Sequence, residues 1–208
     1  DDQSVKTQRK SVKKISKWLE KKSISYRVEI EEDKQLELWK VRHAAATVLA
    51  QNNGRAVAVP VIEDGIVPVD RFGEYLAGVY EIFTKNHMQT AVWGHAGDAN
   101  LHIQPLLDLA QVGDRQKAFK LMDEYYKLVI SLGGSTSGEH GDGRLRAPYL
   151  PSLYGPEVYE LFRKVKSIFD PHGTLNTGVK IDVTIEDLKP IVRQEFAMDH
   201  LHAHMPRT

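Results

Sequence analysis

Apolar residues recur at helical spacing from the start of the chain: Val5, Val12, Ile15, Trp18 and Leu19 stand among lysines over residues 4 to 22 and predict an amphipathic helix with a basic, solvated face. Residues 24 to 30 alternate apolar with polar, which predicts a short strand. Glu31-Glu32-Asp33 then place negative charge at the positive end of a second helix reaching Asn52. The run Ala56-Val57-Ala58-Val59-Pro60-Val61-Ile62 reads as a buried strand that stops in the loop Glu63-Asp64-Gly65. Pro68 to Asn86 predict a third helix, with Phe72, Leu76, Val79, Tyr80 and Phe83 on its core stripe.

Thr90 to Trp93 and Leu101 to Gln104 are β-prone runs joined by a tight turn. Asp114 is placed to cap a helix ending at Leu132, where Ala118, Leu121, Met122, Tyr125 and Val129 repeat at three and four and Gly133-Gly134 stops it. Pro156 opens a helix through Phe169, ended by Asp170-Pro171-His172-Gly173, and Thr184 to Asp187 form a capping box before a short helix interrupted by Pro190. This order of elements predicts an α+β fold, an antiparallel sheet covered by helices on one face, with a C-terminal helical segment.

At 208 residues the chain can bury one sizeable core or two small ones. Its 28 basic residues balance 28 acidic ones, which removes any electrostatic case for binding nucleic acid. Cysteine is absent, so disulfides, thiolate metal sites and iron–sulfur ligation are excluded within this stretch. No apolar run approaches the roughly 18–20 residues of a membrane span, and the cytoplasm is the default location. No linker forces a domain boundary before residue 182, and His200, His202 and His204 near the end lack a second shell that would support a metal.

The chemistry concentrates in two glycine-bearing stretches. With Asp98-Ala99 as the central residues of the turn, His95 faces His102 directly, and opposed residues have Cβ atoms about 4.5–5.5 Å apart, so two imidazoles can share one cation. Glu139, in the run Ser137-Gly138-Glu139-His140-Gly141-Asp142-Gly143, is the candidate third ligand. His140 would point to the other side of an extended chain, free to act as a base. The plain alternative is two half-buried sheet histidines and ordinary glycine turns.

Three motifs, Gly94-His95-Ala96-Gly97-Asp98-Ala99-Asn100-Leu101-His102, Ser137 to Gly143, and Phe169-Asp170-Pro171-His172-Gly173-Thr174-Leu175-Asn176-Thr177-Gly178, together resemble the carboxy-terminal part of FAD-linked oxidases. These are the vanillyl-alcohol-oxidase-like flavoproteins that include D-lactate dehydrogenase, the glycolate oxidase large subunit and D-2-hydroxyglutarate dehydrogenase. The resemblance covers residues 36 to 181, and implies a ferredoxin-like cap over residues 1–182, laid on a separate N-terminal FAD domain, with 183–208 as a helical tail. It implies zinc or manganese held by His95, His102 and Glu139, with His140 taking the proton of the substrate hydroxyl. Arg42, after Leu38-Trp39, stands where the family binds the substrate carboxylate; Gln104 stands at a further substrate position and Asn176 at a flavin-facing one.

Departures sharpen the expectation. Ala99 replaces the usual glycine, so a turn needing positive φ is either strained or of another type. Thr177 replaces a proline, Gln104 an asparagine, and Ala46 and Ile62 stand where extra substrate-binding residues align, which favours a small 2-hydroxy acid such as lactate or glycolate. The implied partners are the missing FAD domain, that acid, an electron-accepting or iron–sulfur partner and a second copy in a homodimer, in the cytoplasm or peripheral at the inner membrane face. Without the FAD domain the chain is not expected to turn over. Two other classes stay open: a freestanding metal-dependent hydrolase, in which His140 or Glu139 activates a metal-bound water, and a non-catalytic dimerisation module.

Overall fold

The computed structural model describes residues 4–50 and 56–192. The chain divides into two compact units, Asp1–Val48 and Leu49–Thr208. In the first, the Ser4 side chain accepts from the Thr7 N–H and caps α1 (Val5–Lys21), and α2 (Glu32–Ala50) carries Glu32 and Asp33 in its first turn. The strand expected over 24–30 does not form. Ile24, Tyr26, Val28 and Ile30 alternate and are exposed, but no ladder partner meets them among the described residues, and alternation without a partner makes no sheet. Side chains hold the segment instead: Tyr26 donates to Glu20, and Gln35 donates to the carbonyls of Glu29 and Ile30. The expected end of α2 at Asn52 lies outside the described residues, as do His200, His202 and His204.

The second unit is built on one strand. β4 (Asn100–Leu107) pairs antiparallel along one edge with β3 (Thr90–His95), and along the other with two short pieces, β1 (Val57–Ala58) and β2 (Gly65–Ile66). The single strand expected over 56–62 is therefore interrupted. Val59 N–H still reaches the Pro105 carbonyl at 3.0 Å, the chain leaves the ladder at Pro60, which has no N–H to give, and it returns where Asp64 N–H meets the Leu101 carbonyl at 2.9 Å. That detour sets Glu63 and Asp64 beside β4.

A 3-10 turn (Val69–Arg71) leads into α3 (Phe72–Lys85), which packs with α4 (Val112–Ser131) against the sheet. Val79, Phe83, Leu121, Met122, Tyr125 and Val129 meet Leu101, Ile103 and Leu107 in the core. Tyr75 rather than Tyr80 completes the α3 stripe, because Tyr80 points to solvent. Asp114 is not the cap of α4: it sits in the first turn and accepts from the Asp108 N–H, while Gln111 occupies the capping position. Pro156 does restart the helix, since α5 (Leu150–Phe169) breaks at Gly155, where φ is +78°, and Thr184 and Asp187 form the expected capping box of α6 (Ile185–Leu188). Val183 and Leu188 are buried in the same core. The class is α+β, with six α-helices and a small antiparallel sheet among the described residues.

One buried polar contact ties helices to sheet at the detour. The Tyr125 hydroxyl accepts from Gly65 N–H at 3.0 Å and lies 2.6 Å from the Tyr75 hydroxyl, which donates to the Gly65 carbonyl. Burial pushes both phenols up, so both stay neutral. Tyr125→Phe leaves the Gly65 N–H without its partner and is expected to cost about 1–3 kcal/mol of stability in urea unfolding, with little change in the slope of the transition.

Candidate active site and metal centre

The hairpin turn is not the two-residue one expected. Ala96–Asp98 form a 3-10 turn and Ala99 adopts the left-handed conformation (φ +55°, ψ +34°), so four residues connect the strands. The strained alternative is the one realised. Ala99 is fully buried, so core packing holds its methyl group in a backbone state that favours glycine. The register follows: His95 lies opposite Asn100, and His102 opposite Trp93. His95 and His102 are thus diagonal neighbours on one face rather than a direct pair, and diagonal side chains of this length still meet. Their rings stand edge to face, with centroids 5.3 Å apart. Gly94 permits the close approach of the strands, since a Cβ there would lie 2.4 Å from the Asn100 carbonyl oxygen.

The loop carrying Glu139 and His140 is folded around Asp64. This carboxylate, fully buried, accepts from Asn100 Nδ2 (3.2 Å), Ser137 Oγ (2.7 Å), Glu139 N–H (3.1 Å) and His140 N–H (2.8 Å), while its carbonyl accepts from Gly138 N–H. Burial alone raises the Asp64 pKa, but the hydrogen bonds from His140, Ser137, Glu139 and Asn100 outweigh it and hold the group below its ordinary value. Gly138 leaves room for the contact: a Cβ would come within 2.6 Å of Asn100 Nδ2. Sequence reasoning missed Asp64, for which the only signal was an acidic residue in a Glu-Asp-Gly turn after an apolar strand.

That folding corrects the expected placing of His140. Consecutive N–H groups wrapped on one carboxylate bend the chain, so Glu139 and His140 face the same place. Glu139 Oε1 lies 3.0 Å from His102 Nε2, 3.3 Å from His95 Nε2 and 3.6 Å from His140 Nε2. The His102 and His140 rings stack at 5.0 Å, 8° from parallel. His102 is buried, and burial, with His140 beside it, pushes its pKa down and keeps it neutral.

These donors suit a divalent ion. Nitrogen or oxygen atoms about 2.1 Å from one ion at tetrahedral angles stand about 3.4 Å apart, which matches the spacing of the His95 and His102 Nε2 atoms from the Glu139 oxygen. One donor atom each from Asp64, His102, Glu139 and His140 also lie within 4.8 Å of one another. Asp64, whose oxygens are taken by backbone and side-chain donors, serves the loop rather than an ion.

Gln104 lies two residues beyond His102 on the same face of β4 and is half-buried. Arg42 is half-buried on α2, in the other unit. Asn176 is exposed, with left-handed backbone (φ +46°), in the loop after α5. That loop is tied to the glycine-rich one by Arg144 donating to the Thr177 carbonyl and by Lys180 pairing with Asp142 at 3.1 Å.

An α+β unit here gathers three histidines and a glutamate beside a strand hairpin, a set of donors that could hold a divalent ion. The chain belongs to the family of the C-terminal domain of FAD linked oxidases, whose model matches residues 1–179. It is similar to D-2-hydroxyglutarate dehydrogenase of Escherichia coli (strain K12), 32% identical over 68% of this chain and 14% of that protein. It is also similar to glycolate oxidase subunit GlcD of Bacillus subtilis (strain 168), 30% identical over 71% of this chain and 30% of that one, and to D-lactate dehydrogenase of Archaeoglobus fulgidus, 36% identical over 55% and 25%. The chain spans between 14% and 30% of the length of these relatives.

The Asn176 loop is built on Asp170. Lys166, then the N–H groups of Thr174 (2.8 Å) and Leu175 (2.9 Å), hold this carboxyl well below its ordinary value of 3.8. A folded value below the unfolded one means that the stabilisation is complete above pH 3.8 and is lost as pH falls below it. The protection factors for amide exchange at Thr174 and Leu175, measured against the intrinsic rates at each pH, should therefore fall as pH drops below 3.8 in the wild type. In Asp170→Asn they should be reduced already at neutral pH and change little with acid.

Proposed function

We propose that this chain is the substrate- and metal-binding part of an FAD-dependent 2-hydroxy-acid dehydrogenase of the D-lactate or glycolate type. The observation that carries the reading is the convergence of three imidazole nitrogens on one carboxylate oxygen, in a chain of the FAD linked oxidase family. In this reading residues 1–182 are the cap and 183–208 a helical tail. Zinc or manganese, held by His95, His102 and Glu139, would polarise the α-hydroxy-carboxylate. FAD, bound mainly by the remainder of the enzyme with Asn176 as this chain's contribution, would accept the hydride.

The other roles fall to this chain's own residues. His140 Nε2 receives the hydroxyl proton, and Arg42 and Gln104 hold the substrate carboxylate and its neighbouring oxygen. Ile62 is fully buried in the core and offers nothing to a second carboxylate, which supports a small acid; the side chain of Ala46 lies outside the described residues. On α5, Val158, Leu161, Val165, Ile168 and Phe169 are exposed, an apolar face that suits docking of the FAD domain. Electrons would pass from the flavin to an acceptor or iron–sulfur partner, and the enzyme would work as a homodimer. No helix among the described residues is long and apolar enough to cross a membrane. The reading places the enzyme in the cytoplasm, and the row of lysines on α1 suits contact with an anionic inner membrane face.

Metal analysis separates this reading from a non-catalytic module: the wild-type chain should hold zinc or manganese stoichiometrically, and His102→Ala and Glu139→Ala should lose it. Dye reduction separates it from a hydrolase. The full-length protein should reduce dye with D-lactate or glycolate, and His140→Ala should lower kcat by about 10²–10⁴ while flavin content is unchanged. Hydrolytic activity without 2-hydroxy-acid-dependent reduction would end the flavoenzyme reading.

A further inference from the structure

His140 has two ring nitrogens, and the cluster described above accounts for only one. Nε2 faces Glu139 Oε1, whereas Nδ1 lies 3.0 Å from Glu63 Oε1, on the far side of the ring. Glu63 is itself held. Arg146, largely buried, donates to the Glu63 carbonyl at 3.2 Å and to the Gly141 carbonyl at 2.5 Å, and its guanidinium lies 3.9 Å from Glu63 Oε1. The Glu63 side chain is 14% exposed. One arginine therefore links the backbone before Asp64 to the backbone just after His140.

We infer that Glu63 is the positioning residue of His140: it accepts from Nδ1–H, fixes that tautomer and the ring plane, and leaves the Nε2 lone pair directed at the site. The nitrogen that carries the proton in a neutral imidazole is set by the partner of the other nitrogen, and an ionised carboxylate can only accept. The inference rests on the functional reading for what Nε2 then does, but the tautomer rests on distance: Nδ1 is within hydrogen-bond reach of Glu63 at 3.0 Å, whereas Nε2 stands 3.6 Å from Glu139, beyond it. His102 makes the contrast, because its Nδ1 is buried without a hydrogen-bond partner among the described residues and its ring is placed by stacking.

The test is nitrogen-15 NMR of the metal-free, histidine-labelled 208-residue chain at about pH 8.5, well above the ordinary histidine range, with His140→Gln assigning the signal. Wild type is expected to show His140 with a protonated Nδ1 and a bare Nε2. Glu63→Leu should move it to the Nε2–H form, and Glu63→Gln, which keeps an acceptor oxygen, should restore the wild-type signal in part. In the full-length flavoenzyme, Glu63→Leu should lower kcat about 10- to 100-fold with KM and metal content nearly unchanged. An Nε2–H tautomer in the wild type overturns the assignment, whether or not the leucine variant folds, and so does an unchanged His140 signal in a folded Glu63→Leu chain. A wild-type full-length protein that fails to oxidise 2-hydroxy acids overturns the functional reading instead, leaving the tautomer to decide the Glu63 assignment.

Discussion

A buried carboxylate saturated by hydrogen bonds holds the site together. Asp64 brings to one point the side chain of Asn100 from the hairpin, the hydroxyl of Ser137, and the consecutive N–H groups of Glu139 and His140. An ionised group buried away from water is costly unless every lone pair is used, and here each oxygen accepts more than once. The loop therefore has one conformation that satisfies the charge. In that conformation Glu139 and His140 turn toward the histidines of the hairpin.

The detour between β1 and β2 exists in the service of that contact. Pro60 cannot extend the ladder, and the chain re-enters it only at Asp64, with φ at +67°. Tyr125 and Tyr75 then clamp Gly65 from the helical layer. A polar tie to the helices on one side and to the glycine-rich loop on the other makes β2 a junction, although it is only two residues long. The placement of Glu63, one residue earlier, follows from the same junction. It reaches the imidazole from outside the cluster, where a carboxylate can orient the ring without occupying the nitrogen that faces Glu139.

The hairpin brings the two histidines together on a register other than the expected one. Counting from a two-residue turn puts His95 against His102, but buried Ala99 takes a left-handed backbone and the turn spans four residues. Because side chains alternate with a period of two, a register shift of two keeps both histidines on one face, and the diagonal pair still converges. A shift of one would have sent His102 into the helical layer. By contrast, the alternating segment 24–30 has the composition of a strand and meets no ladder partner among the described residues.

Local pattern determined the helices, since their periodicity, first-turn acids, Pro156 and the Thr184 capping box are properties of contiguous residues. The ligand-type residues were also legible, because histidines near a turn and a glutamate among glycines carry their chemistry in their identity. Only the tertiary structure decided that Asp64 anchors the loop, that His140 shares the face of Glu139, and that Glu63 lies behind its ring. The contacts of Asp64 and Glu63 with Glu139 and His140 join residues more than seventy positions apart, and their geometry is set by which buried charges find donors, a condition that no window of sequence contains.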